Sequence, residues 1–436
     1  MFVCKFGGTS LADAAQIRKV GEIIKASPQR KVVVVSAPGK RSSSDEKITD
    51  ILFSCHAAAS RGEDIGPLFE TVRQRYTDIA GDLGMEADLS PVLDAVEQSI
   101  RDGADHNAVV SRGEYLSAHL VAGYFGYEFV DAAELIRFAD GRTVDDAATD
   151  ELVRSRLATA GNYVVPGFYG AFADGRVQLF SRGGSDISAA LLARALEADL
   201  YENWTDVSGL LSADPRIVPE PEPIDRVSYR ELRELAYLGA AVFHQEAVAP
   251  VEEKGIPIRI RNTDEPDHEG TLIAAAQEAH ATVARDFIGV AGKIGFRTAL
   301  VTQPMLSRDA RFVDRARAVC ADLDMAVRHA VSGSDTLLLV CPDEPLSDGR
   351  DELQRRLEQE LGAASVDFGD RMAVVGAVYS LHGVPPGRLA RMAESLDEAG
   401  VGVRYVSVGE SPHTAVFGVD ESRYEEAVRA VYRGAR

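Results

Sequence analysis

The segment Lys31-Val32-Val33-Val34-Val35-Ser36 constrains the fold of this chain more than any other. A continuous β-branched run has no polar face to offer water, so it is expected at the centre of a sheet covered on both sides. Helical spacings flank it. Ile17, Val20 and Ile24 share one side of a helix starting near Ser10, and Ile48, Ile51, Leu52 and Cys55 repeat the pattern from about Asp45. Strand-like segments recur at Tyr127–Asp131, Asn162–Val165, Val177–Phe180, Asp199–Trp204 and Pro257–Arg261, most with helical patterns between them. Such alternation predicts an open, largely parallel, three-layer αβα sheet, with chemistry in the loops that follow strands.

A chain of 436 residues is too long for one ordinary core. The composition breaks at Thr263–Gly270, where Asn262, Pro266, Asp267 and Gly270 crowd together. Beyond it the units are shorter. Ala373–Tyr379, Gly402–Val408 and Thr414–Val419 read as strands, with helices at Pro386–Ala399 and Ser422–Tyr432. Phe287–Val340 repeats the order more faintly, with strands at Thr298–Thr302 and Thr336–Cys341 around a helix at Asp309–Leu323. The expected division is residues 1–275, 276–365 and 366–436, the last two being duplicated α+β units of βαββ type.

The formal charge of −21 argues against a nucleic-acid partner, which rewards clustered Lys and Arg, though not against a nucleotide. No apolar run approaches the ~18 residues of a membrane span. The strand-like Phe2–Phe6 leaves no room for a signal peptide. Cys4, Cys55, Cys320 and Cys341 lack CxxC spacing, so neither a zinc site nor a disulfide framework is expected, and a reduced cytoplasmic setting fits.

Two loops share one design. Lys5-Phe6-Gly7-Gly8-Thr9-Ser10 runs from a strand through paired glycines into a helix N-terminus, where unpaired N–H groups and Lys5 suit a phosphate. It is not a Walker sequence, and a Gly-Gly pair alone is often a plain turn. Phe180-Ser181-Arg182-Gly183-Gly184-Ser185-Asp186 repeats it before a helix expected at Asp186–Leu196. Arg182 suits a carboxylate, and Asp186 is either functional or simply the N-cap of its helix. Glu114, in Ser111-Arg112-Gly113-Glu114, is either a ligand for an ammonium group or a solvated helix charge. Trp204-Thr205-Asp206-Val207 and Asp214-Pro215-Arg216 follow a strand, where acidic groups suit a ribose or a metal; Asp214-Pro215 is equally a turn signal.

Taken in order, KFGGTS, Ile48-Thr49-Asp50, SRGE at 111–114, Gly167-Phe168-Tyr169-Gly170, SRGGSD at 181–186, WTDV at 204–207 and DPR at 214–216 resemble the aspartate kinase family, within the amino-acid kinase fold. The resemblance implies that Lys5 meets the ATP phosphates, Gly7 and Gly8 shape that loop, and Asp186 organises the site around Lys5, with Mg²⁺. It further implies Glu114 on the aspartate ammonium and Arg182 on its α-carboxylate. Ser36, Thr49, Phe168 and Ser185 would complete the substrate pocket, and Thr205, Asp206 and Arg216 would line the nucleotide site. The C-terminal region resembles tandem ACT domains, carried by Met372–Tyr379, His382-Gly383-Val384-Pro385-Pro386 and Gly402–Gly409. This implies a homodimer or homotetramer and an amino-acid effector near Ser332, Asp335 and Thr336. The alternative is an ACT pair that serves dimerisation alone.

Three departures stand out. Ala241-Val242-Phe243-His244-Gln245 lacks the lysine of the family's Lys-Val-[Leu/Ile]-His-Pro segment, Leu211 replaces a tyrosine found in some relatives, and the Pro38–Glu46 linker is long. Lys40 or Lys47 could supply the missing charge. Arg328-His329 stand where lysine-sensing relatives often carry a carboxylate, which leaves the effector open. Two other readings remain: a kinase of this fold acting on another substrate, and a non-catalytic amino-acid sensor. A fused homoserine dehydrogenase does not fit the length, and no GxGxxG follows residue 275.

Overall fold

The computed structural model describes residues 1–86, 88–157, 161–181, 183–240, 243, 245–279, 286–380, 383–408 and 413–436. They form two compact units. One comprises Met1–Leu210, Pro223–Tyr229 and Ala241–Thr282; the other comprises Leu211–Glu222, Arg230–Ala240 and Val283–Arg436.

In the first unit the sheet order is 226–228, 271–274, 258–262, 200–205, 2–6, 30–35, 163–166, 128–129. The last six strands of that order run parallel. Thr271–Ala274 pairs antiparallel with Ile258–Asn262, and Arg226–Ser228 follows Thr271–Ala274. Val32 to Val35 are at most 1% exposed, so this strand is covered on both faces as its composition requires. Each such side chain contributes about 2 kcal/mol through burial. Val33 and Val35 join Cys4, Phe6, Val164 and Trp204 in a core with the helices Ala14–Lys25, Ile48–Ser60, Gly66–Leu83 and Arg112–Phe125. Gly184–Ala195 packs across the strands 2–6, 30–35 and 200–205 on the opposite face.

Two expectations need correction. The helix expected near Ser10 begins at Ala14, because Gly8–Leu11 first winds a 3-10 turn and Asp13 then caps the helix by accepting the Gln16 N–H at 2.9 Å. Val177–Leu179 is not a strand of the large sheet. It forms an antiparallel hairpin with Tyr169–Ala171, so the second glycine corner follows a hairpin rather than a sheet strand.

The second unit is built on a seven-stranded antiparallel sheet, ordered 329–332, 336–342, 287–302, 372–379, 414–420, 403–408, with 365–368 also paired to 287–302. Only Thr298–Thr302 was expected as a strand at its centre, but the strand spans Phe287–Thr302. Its first part pairs with Met372–Tyr379 and its last part with Thr336–Pro342. Two cores pack on this sheet. One holds Met392, Leu396, Val428 and Val431 from the helices Arg388–Glu398 and Tyr424–Ala435; the other holds Phe312, Ala316, Leu353 and Leu357 from Phe312–Asp322 and Arg350–Leu361. His382 and Gly409 lie outside the described residues. Among the described residues no helix is long and apolar enough to cross a membrane.

Candidate active site

Parallel strands deliver their carboxyl ends to one edge of the sheet, and the motif residues of the first unit gather there. Lys5 stands opposite Asn203 in the strand register, on the face covered by Gly184–Ala195. Its Nζ lies 2.6 Å from Asp186 Oδ1, and both side chains are largely buried. Asn203 closes the triangle, accepting from Lys5 Nζ at 3.3 Å and donating to Asp186 Oδ1 at 3.3 Å. The Asp186 carboxylate is therefore not a helix cap. Gly183, at φ +60°, holds the N-cap position and starts the helix at Gly184, which places Asp186 in its first turn. The Tyr201 hydroxyl donates to the Asp186 carbonyl at 3.3 Å.

The loops are pressed together through glycines. Gly39 N–H donates to Gly8 O at 2.7 Å, and a Cβ on Gly8 would stand 2.9 Å from Ala37 O. A Cβ on Gly113 would meet Ala37 Cβ at 2.9 Å, and one on Gly167 would meet Ser185 at 2.6 Å. Ser36 Oγ donates to Ser185 Oγ at 2.9 Å. Phe168 adopts φ +81°, an unusual conformation for a bulky residue. It is held by Ser188 Oγ, which accepts the Phe168 N–H at 3.0 Å, and by Phe180 N–H, which donates to the Phe168 carbonyl at 3.0 Å. Lys5, Gly8, Ser36, Glu114, Phe168, Ser185 and Asp186 thus belong to one set of touching loops.

Glu114 is 6% exposed, in the first turn of Arg112–Phe125. Burial pushes its carboxyl up to about 7, against the lowering effect of N–H bonds from Ala37 and from its own backbone. Its Oε2 is buried without a hydrogen-bond partner. A solvated helix charge has neither property; a carboxylate waiting for a cation has both.

The remaining predicted residues are less drawn in. Thr49 is half-buried in the first turn of Ile48–Ser60. Thr205, ending its strand, donates to Asp206 Oδ1 at 3.1 Å, and Asp206 is exposed. Arg216 belongs to the second unit, where it is exposed and paired with Asp214 at 2.6 Å. Arg182 lies outside the described residues, as do Ala241, Val242 and His244. Near the expected effector position, Ser332 is exposed and ends its strand. The Asp335 carboxylate accepts the Met305 N–H at 2.6 Å, and Thr336 O accepts the Gly333 N–H at 2.7 Å.

The opposite face of the same strands carries a buried ionic cluster. Arg30 grips Glu202 with two bonds, at 2.6 and 2.9 Å, and Cys4 Sγ and Trp204 Nε1 donate to the same carboxylate at 3.2 and 3.1 Å. Burial would raise the Glu202 carboxyl, but the Arg30 bonds outweigh it and hold it low. The guanidinium groups of Arg30 and Arg261 lie 5.3 and 4.6 Å from the centre of the Trp204 ring.

Asn203, Gly39 and Ser188 were not foreseen. For Asn203 the signal was present, since Glu202-Asn203 sets two polar residues inside an otherwise apolar central strand. Gly39 acts through its backbone, and the Ser188 hydroxyl acts on the backbone of Phe168, twenty residues away; no side-chain pattern in the sequence reveals either.

Comparison with known proteins agrees with this architecture. The family model described as the amino acid kinase family matches residues 1–262, and an ACT domain model matches residues 374–434. Aspartokinase 3 of Bacillus subtilis is 34% identical over 450 aligned positions, covering 99% of this chain and 98% of that protein. The crystal structure of Clostridium acetobutylicum aspartate kinase superposes with a TM-score of 0.93 at 36% identity, covering the whole of both chains. That of E. coli aspartokinase III superposes with a TM-score of 0.74 at 24% identity, covering 100% of this chain and 99% of that one, and shares the fold. The chain belongs to the amino acid kinase family and, within it, to the aspartokinases.

Proposed function

We propose that this chain is an aspartate kinase, transferring the γ-phosphoryl group of ATP to the side-chain carboxylate of L-aspartate to give 4-phospho-L-aspartate and ADP. The product opens the route to lysine, threonine and methionine. The observation that carries this reading is the Lys5–Asp186 pair at 2.6 Å, set among the same touching loops as the buried, half-partnered carboxylate of Glu114.

The acceptor carboxylate is already ionised at neutral pH, so no general base is needed. One carboxylate oxygen attacks the γ-phosphorus in line, and the bond from that phosphorus to the bridging oxygen breaks as ADP leaves. Catalysis is then positioning and cancellation of charge. Lys5 neutralises the moving phosphoryl group, with Gly7 and Gly8 giving the phosphates close approach to the backbone. Glu114 takes the substrate ammonium and Arg182 its α-carboxylate; Ser36, Thr49, Phe168 and Ser185 shape the pocket. Thr205 and Asp206 serve the nucleotide, with Lys40 or Lys47 replacing the lysine missing at Ala241.

Among the described residues no three His, Cys, Asp or Glu side chains group as a metal cage. Mg²⁺ needs only one or two carboxylates besides the nucleotide phosphates. Asp186 and Asp206 would hold it, and when bound it offsets phosphate charge. Residues 1–275 form the catalytic domain in this reading, and 276–365 and 366–436 the ACT domains. The latter assemble a cytoplasmic homo-oligomer and sense an amino acid near Ser332, Asp335 and Thr336.

The test is aspartyl hydroxamate formation from aspartate, Mg-ATP and hydroxylamine, with glutamate and acetylglutamate as competing acceptors, each with and without lysine, threonine and methionine. Turnover with aspartate is expected. Turnover only with another acceptor would keep the kinase and overturn the substrate.

A further inference from the structure

Asn203 occupies a place where chemistry demands more than an ordinary core residue. It is 5% exposed in the central strand Leu200–Thr205, directly opposite Lys5. Burying an amide there costs stability unless each of its polar atoms is bonded. Both ends are used: Oδ1 accepts from the Lys5 ammonium and Nδ2 donates to Asp186 Oδ1, each at 3.3 Å. A neutral amide is the side chain that can bond a cation and an anion at once without adding charge. A carboxylate at this position would face Asp186 as a like charge, and an aliphatic residue would bond neither partner.

The arrangement also fixes where Lys5 points. An ammonium has three N–H groups; Asp186 takes one and Asn203 a second. Nζ lies 3.6 Å from where a Cβ on Gly7 would stand, so the ammonium sits beside the glycine corner with a third N–H beyond the two that Asp186 and Asn203 take. Lys5 can thus reach an incoming phosphate oxygen without giving up either anchor. With Asn203 removed, the long lysine side chain is tethered at one point and swings about it.

We propose that Asn203 is a positioning residue for phosphoryl transfer, holding the Lys5 ammonium and the Asp186 carboxylate in register with the phosphate-facing glycine corner. This rests on the phosphotransferase reading above but not on which acceptor is used. Asn203 acts through Lys5 and Asp186 and need touch neither substrate.

The experiment compares the wild type with Asn203→Leu, which keeps the shape and removes both bonds, and Asn203→Asp, which keeps the acceptor for Lys5 and replaces the donor to Asp186. Asn203→Leu should lower kcat about 10- to 100-fold, the worth of a charge-assisted hydrogen bond, with KM for ATP and aspartate within about two-fold. Asn203→Asp should lose more. ADP-binding stoichiometry should stay at the wild-type value in both, so that the loss belongs to turnover and not to the folded fraction. In crystals of Asn203→Leu, Lys5 Nζ should leave its wild-type position or divide between rotamers. An unchanged kcat, a loss matched by lost ADP-binding sites, or an unmoved Lys5 would overturn the proposal. A wild type inactive on aspartate would overturn the substrate reading alone, because the Lys5 position in the two crystals still decides this one.

Discussion

Replacing Glu114 by glutamine separates the requirements of folding from those of binding. Its carboxyl is raised from 4.5 to about 7 by burial. Below pH 4.5 both the folded and unfolded chains hold the proton, and the group contributes nothing to the pH dependence. Between 4.5 and 7 the unfolded chain releases the proton while the folded one keeps it, so stability falls as pH rises and levels off above 7. A shift of about 2.5 units corresponds to about 3 kcal/mol of strain carried by the ionised side chain. Glutamine is neutral throughout, so Glu114→Gln should escape this decline, whatever constant offset its amide introduces. At about 2 °C per kcal/mol, the Tm difference between variant and wild type should widen by about 5 °C from pH 5 to pH 8, about 2.5 kcal/mol of the effect falling in that interval. Calorimetry of both proteins without ligand, in matched ionic strength, reads this directly. The ligand arm runs the other way: saturating aspartate at pH 8 should raise the wild-type Tm and leave the variant nearly unmoved, because only the carboxylate is completed by an ammonium group. A Tm difference that is flat across this pH range would refute the account of Glu114 as a strained, unpartnered anion.

Other consequences are as specific. Gly7→Ala should leave the fold intact, since its Cβ would meet Lys5 Nζ and Trp204 O only at 3.6 Å with the backbone already extended, but should raise the ATP KM by crowding the phosphate beside Lys5. Gly8→Ala should cripple the enzyme, because its Cβ would stand 2.9 Å from a backbone oxygen; steady-state ATP KM and kcat distinguish the two. Arg75 is buried and bonds both Asp45 and the Gly39 carbonyl, which ties the long linker to the glycine corner. Arg75→Met should cost about 3 kcal/mol and raise the ATP KM several-fold, read by thermal melts and kinetics. Burial works against it, but the Arg41 bonds and the Arg75 charge together bring the Asp45 carboxyl down to about 2. The contribution of Asp45 to stability is therefore present above pH 3.8 and lost as pH falls toward 2, and an acid titration of the Arg75→Met variant should show it reduced, with the part due to the Arg41 bonds remaining.

Much of the fold was legible because it follows from composition. Val32 to Val35 can only be a strand buried on both faces, and the helices around it show their apolar stripes. Phe287–Thr302 was half-hidden, since Gly289, Gly292 and Gly295 weaken a strand signal in the very strand that both cores of the second unit share. The hairpin at Val177–Leu179 was misplaced because its side chains read as any short strand does; only pairing distinguishes it. In the site, residues whose charge has no other use, Lys5 and Asp186, were visible. Asn203 showed only as a polar residue in an apolar strand, because its importance depends on strand alternation setting it beside Lys5 while Glu202 turns to the opposite face. The buried Oε2 of Glu114, which favours a ligand role over a solvated one, is a property of packing and leaves no trace in the sequence.

The claim on which the mechanism turns is that Lys5, held by Asp186 and Asn203, cancels charge on the phosphoryl group in flight. The direct measurement is the single-turnover rate of acyl-phosphate formation by Lys5→Ala at saturating Mg-ATP and aspartate, alongside its melting temperature. The expected result is a rate lowered at least about 1000-fold in a protein that still unfolds cooperatively, with a Tm lowered because Asp186 loses its partner. A rate near that of the wild type would contradict it, and with it the assignment of this cleft as the seat of the chemistry.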